Sequence, residues 1–176
     1  MRRKNRGFTL LDLLIVIMIL GIVGTIAIPQ FQSLTAEAKL SAATGELVAG
    51  LQYAASLAIR YGRPFGFEAD VRGNWFKIYD TDPSPDPIPP ARPNNDPPVD
   101  QSGVVLDPHN KTWYEKDFDT WDLYSGVQIT SLPAGDKVRF YPDGHTAMTD
   151  GEIIVSYGGN QRTITISGFS GRIRVE

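Results

Sequence analysis

The 176-residue chain contains no cysteine. Disulfide staples, a thiol nucleophile and thiolate metal sites are therefore excluded. Histidine is almost as scarce, with only His109 and His145 present, so a histidine-rich metal centre is not expected. There is also no nucleotide-binding glycine loop, zinc signature or G-x-S-x-G elbow. Ser170 lies in Gly168-Phe169-Ser170-Gly171, which lacks the elbow spacing and reads as a turn serine. Enzymatic chemistry has no foothold here, and neither a cofactor nor a metal is expected.

Basic charge is short as well as unevenly placed. Lysine and arginine number 17 against 20 acidic residues, and four of the 17 (Arg2, Arg3, Lys4, Arg6) precede Phe8. Without those four, 13 basic residues face 20 acidic ones, a net charge of −7. A chain this acidic is not a general polyanion binder, although a local basic patch remains compatible with it.

What the chain does have is an apolar run of about 20 residues from Phe8 to Ile28 behind that basic leader. At 1.5 Å per residue it matches a bilayer core of about 30 Å. It exceeds the usual apolar region of a secretory signal, and no small-x-small site followed by a polar start closes it. Basic residues on its N-terminal side predict a cytoplasmic N-terminus with everything after Ile28 carried across the membrane. Asp12 breaks the pattern one turn inside the run. An acid at mid-bilayer costs about 2.5–3.5 kcal/mol, less near the interface, so it calls for a partner. Cleavage after Gly7 would create one, the α-amino group of Phe8, on the same helix or on a neighbouring subunit.

Gly7-Phe8-Thr9-Leu10-Leu11-Asp12-Leu13-Leu14-Ile15-Val16 resembles the type IV prepilin motif. The resemblance implies a prepilin peptidase that cuts between Gly7 and Phe8 and N-methylates Phe8. It also implies assembly roles for Asp12, Gly21 and Pro29, the last two matching positions where the family's long helix loosens and kinks. The family normally carries glutamate where this chain has Asp12, so the carboxylate is kept with a shorter reach.

From Gln30 to about Tyr61 the chain reads as a continuing helix, with Phe31, Leu34, Ala38, Leu47, Leu51, Ala54 and Ala58 on one face. Gly45 and Gly50 are small enough to permit bending or close backbone approach, and Gly62 and Pro64 end the helix. Phe65–Val71 and Asn74–Tyr79 predict two strands joined by a turn containing Gly73. Asp80 to about Asp107 is crowded with proline and acid and predicts an extended loop. Asp80, Asp82, Ser84 and Asp86 mimic alternating calcium ligands, but the turn glycine and bidentate glutamate of an EF-hand are missing, and a solvated acidic loop is the better reading. Further strands are expected at Val127–Thr130, Lys137–Tyr141, Glu152–Tyr157, Arg162–Ser167 and Arg172–Val175, separated by glycine- and proline-bearing turns. In the last of them, Ile173 and Val175 face one way and Arg172 and Arg174 the other. The fold class is α+β, a long N-terminal helix packed on an antiparallel β domain. The predicted divisions are a leader at 1–7, a transmembrane and assembly helix at 8–28, its amphipathic continuation at 29–62, and a periplasmic β domain at 63–176.

Phe140-Tyr141-Pro142-Asp143-Gly144, Arg162-Thr163-Ile164-Thr165-Ile166 and Gly171-Arg172-Ile173-Arg174-Val175 resemble the C-terminal pattern of the H-type pseudopilin and FimT-type minor pilin family. Two roles follow from that resemblance. One is a minor pseudopilin in a type II secretion filament anchored in the inner membrane, contacting other pilins or pseudopilins and secreted cargo or the outer-membrane channel. The other is a minor type IV pilin serving pilus assembly or DNA uptake, with Arg172 and Arg174, joined by Arg162, on phosphates. The plain alternative for these arginines is that they solvate an edge strand and discourage pairing. A tethered periplasmic domain that never polymerises is the third reading, and it would be indifferent to Asp12→Ala.

Overall fold

A 52-residue helix, α1 (Leu10–Tyr61), leads the chain. The computed structural model describes residues 10–81, 103–110, 112–133, 135–147 and 150–176, with the side chains of residues 24–34 outside the description. The chain divides into two compact units, Met1–Ala36 and Glu37–Glu176.

In the first unit every described side chain from Leu10 to Val23 is exposed. Twelve of these fourteen are large and apolar, and consecutive placement turns them to all sides of the helix. A helix apolar all round requires cover from lipid or from other protein. Among the described residues no helix is long and apolar enough to cross a membrane. The described side chains stop at Val23, short of the predicted run's end at Ile28. Gly21 and Pro29 both lie within the bounds of α1.

The second unit begins with the amphipathic part of α1. Leu40, Ala43, Leu47, Leu51, Ala54, Leu57 and Ala58 are buried in one core with the strands. Leu47, Leu51, Ala54 and Ala58 thus hold the face expected of them. Ala38 does not, and is exposed. It sits two residues from Leu40, about 200° around the axis at 3.6 residues per turn, so Leu40 and Ala43 carry the stripe instead. Phe31 and Leu34 lie outside the described side chains. Gly62, at φ 65°, supplies the left-handed residue that terminates the helix.

Eight strands form two antiparallel sheets among the described residues, the antiparallel β domain that was expected. The first has the order β3 (Glu115–Asp117), β2 (Trp75–Asp80), β1 (Phe65–Asp70), β5 (Lys137–Phe140). The second has the order β4 (Gln128–Ser131), β6 (Gly151–Tyr157), β7 (Asn160–Ile166), β8 (Ile173–Val175). Gly158 and Gly159, both at positive φ, close the two-residue β6–β7 hairpin, the geometry that matches strand twist. In the β1–β2 turn the positive φ falls on Asn74, not Gly73. Asn74 is 1% exposed, and its amide donates to Val127 O (2.8 Å) and Asp119 Oδ1 (2.8 Å) while accepting from Ile129 N (3.0 Å). One turn residue thereby ties the first sheet to the start of the second.

The expected 80–107 loop is corrected at both ends, residues 82–102 lying outside the described residues. Asp80 is buried in an ion pair with Arg63, so it is not available as a solvated calcium ligand. Gly103–Asp107 belongs to the first sheet's margin: Val105 N donates to Ile78 O (2.9 Å), and Tyr114 N to Val105 O (2.8 Å). This stretch, Val104-Val105-Leu106, has no proline and two β-branched valines, which suits pairing.

Gly50 faces the stacked pair Phe67–Phe76, and a Cβ there would lie 2.8 Å from Phe76 Cε2. Phe76 is fully buried and has no room to swing. Gly50→Ala should therefore lose about 1–2 kcal/mol, overpacking outweighing a helix-propensity gain of about 1 kcal/mol. At Gly45 nothing lies within 4 Å, so Gly45→Ala should stabilise by about 0.5–1 kcal/mol. Thermal melts of the two variants should move in opposite directions; a gain for Gly50→Ala would refute the close packing.

Candidate functional site

Three regions carry candidate chemistry. The first is the N-terminal part of α1. Asp12 lies in its first turn among exposed Leu10, Leu11, Leu13 and Leu14. Gly21 is open, with nothing within 4 Å of its Cβ direction. Gly7 and Phe8 lie outside the described residues, as does the side chain of Pro29.

The second region was not anticipated. Lys116, on β3, reaches Asp107 Oδ2 at 2.7 Å with both side chains nearly buried, and Glu46 Oε1 of α1 lies 3.8 Å away. Its ammonium also lies over the rings of Trp121 (4.9 Å) and Tyr114 (5.4 Å). Tyr124 donates to Glu46 Oε2 at 3.4 Å. Burial alone would raise the Asp107 carboxyl, but hydrogen bonds from Lys116 and the His109 amide, with the Lys116 charge, hold it below its ordinary value. Burial first, then the Glu46 charge, pushes the Tyr124 phenol up to about 12, and Tyr114 rises for the same reasons. This is a structural lock between α1 and the segment 107–124. The signal for it was the crowding of aromatic and acidic residues around one lysine in Trp113–Tyr124.

The third region lies on β7 and β8. A groove of about 340 Å³ is lined by Asp150, Thr165, Ser167, Ser170, Arg172 and Arg174. Neither Arg172 nor Arg174 has an ion-pair or hydrogen-bond partner for its side chain among the described residues. Arg162 does not join them. It shares a strand face with buried Ile164 and Ile166, opposite to Thr165, and pairs with Glu37 of α1. A three-arginine patch is thus reduced to two. His145 is partly exposed, stacked on Tyr141 (4.4 Å) and paired with Asp143.

A long helix that begins in an apolar segment behind Gly7-Phe8 and packs its later turns on antiparallel sheets is the pilin-like fold. A family model for the prokaryotic N-terminal methylation motif matches residues 2–28. A second, described as type II transport protein GspH, matches residues 43–171, and the chain belongs to that family. A fimbrial protein of Pseudomonas aeruginosa is 38% identical over 76 residues, 43% of this chain and 49% of the relative. The type II secretion system core protein G of the same species is 40% identical over 48 residues, 27% of this chain and 34% of the relative. The chain spans about half the length of the first of these relatives, or less. The crystal structure of the P. aeruginosa type IV minor pilin FimU shares the fold, with 22% identity, 78% of this chain and 92% of that chain covered, and a TM-score of 0.50.

Proposed function

We propose that this chain is a minor pseudopilin, a structural subunit of a type II secretion filament and not an enzyme. The observation that carries the reading is the GspH family match over residues 43–171, because it covers the β domain and not only the helix common to all pilin-like chains. The methylation-motif match supports processing by a prepilin peptidase, with cleavage between Gly7 and Phe8 and N-methylation of Phe8. The run from Phe8 to Ile28 holds the precursor in the inner membrane as a single span, N-terminus cytoplasmic and β domain periplasmic. After cleavage the same run packs among neighbouring pseudopilins, with Asp12 neutralising an α-amino group. Secreted cargo or the outer-membrane channel is then within reach of the β domain.

Deletion of the gene tests this: export of folded type II substrates should fall and return with the wild-type copy. The fimbrial relatives and the FimU fold favour a second reading, a minor type IV pilin. Loss of surface pili with export intact would select it.

A further inference from the structure

We propose that the β8 edge and its arginine groove take an extended acidic segment of a partner protein by strand addition, an inference beyond the filament role itself. β8 ends its sheet. Glu176 and Thr163 exchange both backbone hydrogen bonds, and Ser167 N donates to Arg172 O. With the register Thr165↔Arg174, antiparallel alternation turns the peptide groups of Arg172, Arg174 and Glu176 toward β7. The N–H and C=O groups of Ile173 and Val175 therefore point outward, along an edge that no strand of the described residues covers.

The side chains beside that edge are spaced for the same ligand. Arg172 and Arg174 are two residues apart, about 6.7 Å along a strand. An added strand presents side chains on the same face at the same interval, so carboxylates at alternate positions would lie opposite the two guanidiniums. Arginine binds carboxylate through paired N–H donors. Both arginines are without side-chain partners among the described residues, and Thr165, Ser167 and Ser170 line the groove with hydroxyls. Phe169, 94% exposed in the adjoining turn, offers an apolar contact to a residue flanking the acids.

Two other occupants fit less well. Asp150 lines the groove and the chain's net charge is −3, which opposes duplex DNA, with a charge every 1.7 Å or so, far more than a segment carrying only two carboxylates opposite the arginines. The chain's own acidic stretch carries Pro83, Pro85, Pro87, Pro89 and Pro90, which lack the N–H groups that strand addition uses.

The test uses the full chain in neutral detergent and fluorescence anisotropy of a labelled octapeptide alternating glutamate and valine. Saturable binding is expected. It should weaken at least tenfold for Arg172→Ala/Arg174→Ala, whose thermal midpoint should match wild type, since neither guanidinium is buried. It should weaken as much when the peptide is N-methylated at alternate positions, an arm that leaves the protein untouched. A lysine–valine peptide should not bind. No binding of the acidic peptide at about 1 mM would overturn the proposal. So would equal binding of the N-methylated peptide, tighter binding of a duplex DNA oligonucleotide, or tighter binding of a peptide copying residues 82–102.

Discussion

Lys116→Ala should destabilise the β domain by about 3–5 kcal/mol, the range for removing one partner of a buried ion pair. For a domain of this size that is a fall of about 10 °C in thermal midpoint. The cost arises because Asp107, 3% exposed, loses its buried cation and keeps only His109, whose amide (2.9 Å) and solvent-exposed ring (3.4 Å) face the other carboxylate oxygen. Replacing both partners, as in Lys116→Met/Asp107→Leu, should recover most of the loss, since only Glu46, partly exposed and hydrogen-bonded by Tyr124, then loses a cation. The pH dependence gives an independent check. Asp107 titrates below its ordinary 3.8 in the folded protein, so its contribution is fully present above 3.8 and is lost as pH falls through the lower folded value. In Lys116→Ala the lysine's hydrogen bond and charge no longer hold the carboxyl down, so it protonates more readily than in wild type and loses less on acidification. The stability gap between wild type and variant should therefore narrow from pH 6 to pH 3. A single variant within about 1 kcal/mol of wild type at neutral pH would show that the lock carries little.

Asp12→Ala should reduce incorporation into filaments at least tenfold, equivalent to about 1.4 kcal/mol or more of lost assembly energy. The monomer should still reach the membrane, because removing an acid from an apolar run only favours insertion. Asp12→Glu should retain assembly, since the carboxylate is kept and its reach becomes that of the usual family residue. Crosslinking to neighbouring pseudopilins, quantified against total membrane-bound subunit, separates these outcomes. Wild-type crosslinking by Asp12→Ala would place the charge outside assembly and favour a tethered domain that does not polymerise.

Much of the fold was legible because it rests on local chemistry. Gly62 ends α1, and Gly158-Gly159 turns the β6–β7 hairpin, each at the positive φ that glycine adopts without strain. The alternation in β8 likewise places Ile173 toward the core and Arg174 toward the groove. What escaped depends on distant partners. β3 is three residues, Glu-Lys-Asp, with no strand propensity to announce it; it pairs because β2 offers a free edge. Asn74 reads as an ordinary turn residue, yet its buried amide joins residues more than 40 positions away. Arg162 matched the arginine pattern of β8 in sequence, but strand alternation and Glu37 remove it to the other face.

Mass spectrometry of the mature N-terminus, in cells with and without a prepilin peptidase, bears most directly on the reading as a processed filament subunit. With the peptidase the chain should begin at N-methylated Phe8; without it, the leader should remain attached through Gly7. An intact Met1 in the peptidase-containing cell would contradict it.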